Sequence, residues 1–269
     1  MTFALTSQQL DEFARSGLLR LEGLLPLDGV ARARDAVLSR LARAGLWKDG
    51  AWRLDALPRP QWPDTGVKTA KIIGNTLPEV AALLDAPALC RAIDTLLDGR
   101  PFDRSVYKRP QMLFTLPNAD RWTLPQGWHV DTPRLASGVR PGVQLFACLD
   151  TVAPEGGGTV AVAGSHRLLS ERRSLRPSRV TELLDREPFF HRLFSGVGDD
   201  DARLPRGKVG NIALEVVELT GEPGDVWLMD LRTHHCGAPN ASARPRMMMT
   251  YRYLRADLMQ EVTDAYGWR

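Results

Sequence analysis

Cysteine is scarce in this chain. Cys90, Cys148 and Cys236 are the only three, widely spaced and odd in number. There is no Cys-x-x-Cys, so a disulfide framework and a thiolate zinc site are both excluded, and reduced thiols of a cytoplasmic protein are expected. Long apolar runs are also missing. No stretch approaches the ~18 apolar residues of a membrane span, and the N-terminus lacks the basic start and apolar run of a leader peptide. Charge is close to balanced, at net +3, with no block of like charges. That speaks against a nucleic-acid or membrane-surface partner and for a small-molecule one. Histidine is rare as well. Five are present, His129, His166, His191, His234 and His235, so each can be weighed separately.

What remains is ordinary globular composition, with 43% hydrophobic and 25% charged residues in 269. This length suits one elaborated domain spanning 1–269, as a monomer or homodimer. Residues up to about 104 read mainly as helical support. Helical spacing is expected from Thr6 or Ser7 to Ser16, over 27–44, and in one or two pieces over 77–97 with a break at Pro87. A short strand with turns is expected over 17–25.

From about 105 to 254 the texture changes to short β-branched and apolar segments between turns: 107–115, 127–131, 143–149, 159–163, 212–219, 226–231 and 247–254. This predicts a mainly β, α+β fold, with a jelly-roll core flanked by N-terminal helices. A charged insert over 166–210, with helix near 180–186, breaks the rhythm and is a candidate lid.

The segment Gly127-Trp128-His129-Val130-Asp131-Thr132-Pro133 carries a His-x-Asp pair. On a strand, residues two apart share a face, so this spacing aims an imidazole and a carboxylate at one point. With a distant histidine they form a 2-His-1-carboxylate facial triad, the donor set of non-haem Fe(II) with open positions. His234 and His235, after the strand at 226–231, are the candidates for the third ligand. Strand parity does not separate them, because both faces of an inner strand can be buried.

Three segments resemble the phytanoyl-CoA dioxygenase-like family of Fe(II)/2-oxoglutarate oxygenases: GWHVDTP at 127–133, PEGGGTVAVAGSHR at 154–167, and GDVWLMDLRTHHCGAPNASARPR at 224–246. Weaker similarity covers 13–25 and the strand around 108–115. The resemblance implies a double-stranded β-helix, with Fe(II), 2-oxoglutarate and O2 used to oxidise a C–H bond and succinate and CO2 released. In that family an Asn follows the last ligand by five residues and an Arg by eleven. Asn240 and Arg246 stand at those distances from His235 and not from His234, so the resemblance favours His129, Asp131 and His235 as metal ligands.

It also assigns Arg246 to the distal carboxylate of 2-oxoglutarate, which a planar guanidinium fork suits, with Arg244 as competitor. The chain departs from the family at Gly237, where relatives often carry Ser or Thr. Gln111 and Thr115, sharing a strand face, are the candidates to replace that hydroxyl. Asp131 itself points to hydroxylation as the default, since related halogenases have a small residue there, with desaturation, cyclisation or epimerisation by the same triad, or a 2-oxoglutarate-independent cupin-type metalloenzyme, as the alternatives.

Other motifs are read structurally. His166 closes a turn, the Gly156-Gly157-Gly158 run is a β-turn without the phosphate-loop ending, and Met247-Met248-Met249 packs in the core. Trp128 and Trp227 neighbour the ligands. The arginines Arg167, Arg172, Arg173, Arg176 and Arg179 of the insert suggest an anionic substrate or a solvated surface.

Overall fold

The computed structural model describes residues 3–53, 77–103, 109–169, 174–196 and 204–266. The N-terminal part is α1 (Ser7–Ser16), β1 (Leu18–Leu21), α2 (Leu27–Arg43), the small hairpin β2 (Trp47–Lys48) and β3 (Ala51–Trp52), α3 (Pro78–Ala82), α4 (Pro87–Leu96) and β4 (Phe102–Asp103). The rest is β5 (Gln111–Thr115), β6 (Gly142–Cys148), β7 (Thr159–Ala163), α5 (Pro177–Leu184), α6 (Pro188–Ser195), β8 (Arg206–Val209), β9 (Ile212–Glu218), β10 (Val226–Asp230), β11 (His235–Gly237), β12 (Arg246–Arg255) and α7 (Met259–Tyr266).

Local chemistry sets the helix ends. Thr6 and Gln9 form a reciprocal capping box on α1. Helices α3 to α6 each begin on a proline, whose fixed φ suits the first helical turn and whose missing N–H costs nothing there. Gly17 ends α1 at φ +74, and a Cβ there would lie 2.5 Å from His166 Nδ1, so the turn needs glycine twice over.

Two antiparallel sheets stack. The larger runs β1-β10-β6-β12-β4, with β5 also on β12, and the smaller runs β11-β7-β9-β8. Side-chain parity divides the core into three layers. Odd positions of β6, such as Val143, Leu145 and Ala147, pack under the N-terminal helices with Phe13, Val37, Leu41 and Leu89. Even positions, Phe146 and Cys148, meet Met229, Met248, Ala161 and Leu219 between the sheets. The outer face of the smaller sheet, Val160, Val162, Leu214 and Val216, is covered by Val180 and Leu184 of α5 and by Phe190 and Leu193 of α6. Phe190 is fully buried, and such a side chain stabilises its helix by about 1.5–3 kcal/mol.

This is the double-stranded β-helix with N-terminal helices that the resemblance implied. Pro87 begins a helix instead of interrupting one. The insert carries β8 in addition to helix and pairs it with β9. Of the expected strand 107–115, residues 111–115 form β5, and Tyr107 and Lys108 lie outside the described residues. The expected strand 127–131 is instead a single antiparallel bridge between His129 and His235. Gly127 at φ +91 and the flanking Pro125 and Pro133 cut it short. Among the described residues, no helix is long and apolar enough to cross a membrane.

Candidate metal and co-substrate site

The bridge does the work assigned to a whole strand. His129 and His235 exchange both backbone hydrogen bonds, N–H to O, at 3.0 and 2.9 Å. This closely coupled pair brings their rings to 4.5 Å between centroids. Asp131, two residues on, joins them. One donor atom from each of His129, Asp131 and His235 lies within 4.8 Å of the others. His129 Nε2 is 3.6 Å from Asp131 Oδ1 and His235 Nε2 is 3.4 Å from Oδ2.

Both imidazoles are oriented by backbone. His129 Nδ1 donates to the Gly127 carbonyl at 2.9 Å, and His235 Nδ1 to the Thr233 carbonyl at 3.1 Å. A carbonyl can only accept, so Nδ1 carries a proton in each ring and Nε2 is the atom turned to the shared point. Burial, with the charge of His235, pushes the His129 imidazole below its ordinary pKa against the pull of the Gly127 carbonyl, favouring the neutral ring a metal requires. Burial would raise the Asp131 carboxyl. His235, by hydrogen bond and charge, and Arg252 outweigh that and hold it well below the carboxylate range.

His234, one residue away, faces the opposite side of β11. It is fully buried, its Nε2 is 3.3 Å from Thr181 Oγ1, and it packs on Phe190 and Phe194. The alternation of β11 therefore brings His235, and not His234, to Asp131.

Arg246 opens β12 on the face between the sheets. It is 6% exposed, and neither Nε nor Nη1 has a hydrogen-bond partner. Burial lowers its pKa from 12.5 to about 10, with only weak compensation from Cys148 and Glu218. A buried cation with two orphaned donors fits a bound carboxylate. Arg244, the competitor, is largely exposed and pairs with Asp150 at 3.6 Å. Asn240 ties this corner together: its Nδ2 donates to the carbonyls of Thr115 (3.1 Å) and Arg244 (2.8 Å).

The profile of the phytanoyl-CoA dioxygenase (PhyH) family matches residues 13–248. The chain belongs to the PhyH family, a family of Fe(II)/2-oxoglutarate oxygenases. No curated protein matches the PhyH chain. Among solved structures it is similar to the non-heme α-ketoglutarate-dependent carbocyclase SnoK from nogalamycin biosynthesis, at 20% identity, covering 94% of this chain and 85% of that one, TM-score 0.58. It is also similar to HygX from Streptomyces hygroscopicus, solved with nickel and 2-oxoglutarate bound (16% identity, 94% and 88% covered, TM-score 0.55). A third is EctD from S. alaskensis, solved with bound Fe (17% identity, 94% and 78% covered, TM-score 0.51). At these identities the likeness is one of fold.

In the PhyH chain, Thr115 lies directly opposite Arg246 in the β5–β12 register, on the same face. Gln111 does not join it. Gln111 is opposite Thr250 and accepts from Arg252 Nη1 at 3.3 Å, at the Asp131 end of the sheet. Gly237 faces open space, with the buried Thr159 opposite it on β7. His166 is structural: buried, with Nε2 on the Ala14 carbonyl at 3.1 Å and its own carbonyl receiving Arg134 at 2.7 Å. Cys236 is a buried thiol pushed up to about 11 by burial, and Trp227 donates to the Thr220 carbonyl at 2.8 Å.

Arg252 was not among the sequence candidates. Its Nε and Nη2 both reach Asp131 Oδ2, at 2.7 and 2.6 Å, with both side chains mostly buried. Its parity on β12 is that of Arg246, a signal the sequence carries. Tyr266 of α7 also donates, through Oη, to the Asp131 carbonyl at 2.6 Å.

A cavity of about 730 Å3 opens beside His129. Gly127 and Trp128 form its floor, Pro177, Ser178, Thr181, Glu182 and Asp185 of α5 one wall, and His191, Phe194 and Ser195 of α6 another. The insert thus supplies a roof to the site. Among the described residues no arginine of the insert lines this cavity: Arg167 belongs to a different one, and Arg179 pairs with the lining Glu182 at 2.8 Å; Arg172 and Arg173 lie outside the described residues.

Proposed function

We propose that this PhyH protein is an Fe(II)- and 2-oxoglutarate-dependent dioxygenase that hydroxylates a C–H bond of a small-molecule metabolite, with release of succinate and CO2. The observation that carries this is the convergence of one donor atom each from His129, Asp131 and His235 within 4.8 Å, two imidazoles and one carboxylate, the donor set of a facial triad.

His129, Asp131 and His235 hold Fe(II), and Arg246 holds the distal carboxylate of 2-oxoglutarate. Thr115 stands ready to share that carboxylate. Thr159, opposite Gly237, is a candidate for the hydroxyl that relatives carry at the Gly237 position. Gln111 more naturally serves Arg252. Bound Fe(II), with 2-oxoglutarate and O2, supplies the oxidising power, and the protein supplies position and dryness. Trp128 walls the centre, and the helices of the insert cover it. Arg252 holds Oδ2 of Asp131 and so would fix the carboxylate's orientation towards a bound metal. The carboxylate at 131 would itself fill the position that a small residue leaves to halide in related halogenases, so hydroxylation is the default outcome.

The test is succinate release with Fe(II), ascorbate and 2-oxoglutarate across a metabolite library, beside the same assay without substrate. Coupled turnover of one compound is expected. Absence of both coupled and uncoupled turnover, in protein that retains Fe(II), removes the oxygenase reading.

A further inference from the structure

The cavity over His129 says something about what enters it. Ser178, Thr181, Glu182 and Asp185 recur at i, i+3, i+4 and i+7, so they form one stripe along α5. Val180 and Leu184 lie on a different side of the helix and anchor it in the core. The stripe is therefore held towards the cavity by packing that it does not itself share. Its middle residue, Thr181, touches His234 Nε2 at 3.3 Å, next to the ligand His235. Its far end carries two carboxylates. From α6, Phe194 adds an aromatic face, and Trp128 adds another below. None of the described lining residues is Lys or Arg, although the chain as a whole is net positive.

The two carboxylates are only loosely engaged. Glu182 pairs with Arg179, and Asp185 with His191 Nδ1 at 3.2 Å, all with substantially exposed side chains. Exposed pairs of this kind are weak and yield readily to a better partner.

Resting on the oxygenase reading of the His129–Asp131–His235 centre, we propose that the substrate is a small molecule bearing a protonated amine beside an apolar or aromatic portion. Glu182 and Asp185 receive the ammonium, Ser178 and Thr181 offer hydroxyls to neighbouring polar groups, and Trp128 and Phe194 pack the apolar part towards His129. A cavity of about 730 Å3 suits such a ligand. The same wall opposes a coenzyme A thioester, whose phosphates would face two carboxylates with no arginine or lysine among the described lining residues to receive them.

The experiment uses a charge-swapped pair of probes, phenethylamine and 3-phenylpropanoate, with coenzyme A as a third. Binding is measured by ligand-observed NMR to full-length protein loaded with zinc(II) and 2-oxoglutarate. Phenethylamine is expected to bind at least about tenfold more tightly than 3-phenylpropanoate, and the double variant Glu182→Gln, Asp185→Asn to bring the two within about threefold of each other. The half-buried Glu215→Gln on β9, outside the cavity, should keep the wild-type ratio. Equal binding of the two probes, binding of neither, preference for 3-phenylpropanoate or coenzyme A, or a ratio unmoved in the double variant each overturns the amine class. Substrate-free succinate release, measured on the iron-loaded wild type, reports on the oxygenase reading independently.

Discussion

Replacing Arg246 by Met should stabilise the protein without co-substrate while abolishing its response to 2-oxoglutarate. Burial lowers the guanidinium from 12.5 to about 10, which corresponds to a penalty of roughly 3 kcal/mol on its charged form. The lowered value is that of a base. The penalty is thus fully present below pH 10 and fades only as pH rises through that value, so an assay near neutrality feels all of it. The orphaned Nε and Nη1 express the same cost in hydrogen-bond form and are not additional to it. Met fills much of the vacated volume, and imperfect repacking returns about 1 kcal/mol or more. The net expected gain is about 1–2 kcal/mol, or roughly 2–8 °C in melting temperature for a chain of this size.

Ligand response should move the opposite way. With zinc(II) present, 2-oxoglutarate at about 100 times its Kd stabilises a binding-competent protein by about 2.7 kcal/mol. The Arg246→Met variant should show none of this at the same concentration. Differential scanning calorimetry of both proteins, with and without 2-oxoglutarate, reads both effects. A variant that melts lower than wild type yet keeps the full 2-oxoglutarate shift would refute the reasoning, because Arg246 would then be a structural cation with a partner of its own.

Three other perturbations probe the same centre. His235→Ala should lose stoichiometric Co(II) binding while His234→Asn keeps it, since only His235 turns towards Asp131; equal loss in both would reopen the ligand assignment. Arg252→Gln should weaken Co(II) binding by about 10–100-fold by freeing the Asp131 carboxylate to rotate, whereas tighter binding would mean that the arginine's repulsion of the metal outweighs its positioning. His166 is held below its ordinary pKa by burial, opposed by Asp230 and the Ala14 carbonyl. The unfolded chain therefore binds the extra proton first, and stability from this site is lost as pH falls below about 6.5. His166→Gln should flatten the decline of melting temperature between about pH 7 and 5.5, and an unchanged slope would assign the acid sensitivity to other groups.

The parts of this molecule legible in its sequence are those governed by local periodicity and by fixed spacing. The helical spacing of α1 and α2 and the short apolar runs of β6 and β12 need no tertiary information and located those elements, whereas Pro87, read as a break, opens α4. The three converging side chains were legible because two of them sit in one tripeptide, and the spacing from His235 to Asn240 and Arg246 has a physical basis: Asn240 bonds the carbonyls of Thr115 and Arg244, holding the corner from which Arg246 enters β12. The bridge at His129 was read as a strand because the alternation in 127–131 is genuine. Flanking prolines and Gly127 shorten it, and one pair of hydrogen bonds to His235 replaces the ladder.

What was least legible is what depends on which side of a distant element a residue lands. The basic character of the insert suggested an anionic substrate, but composition is averaged over a helix and recognition is not. In α5 the arginine at 179 and the carboxylates at 182 and 185 are close in sequence, yet a turn of 3.6 residues puts only the carboxylates on the stripe with Ser178 and Thr181. Val180 and Leu184 determine which stripe that is, by docking into the apolar outer face of the smaller sheet. The sign of the charge presented to a substrate is thus set by two buried aliphatic residues that never touch it. A substitution that rotated α5 by one residue would change the charge of the pocket without changing a single charged side chain.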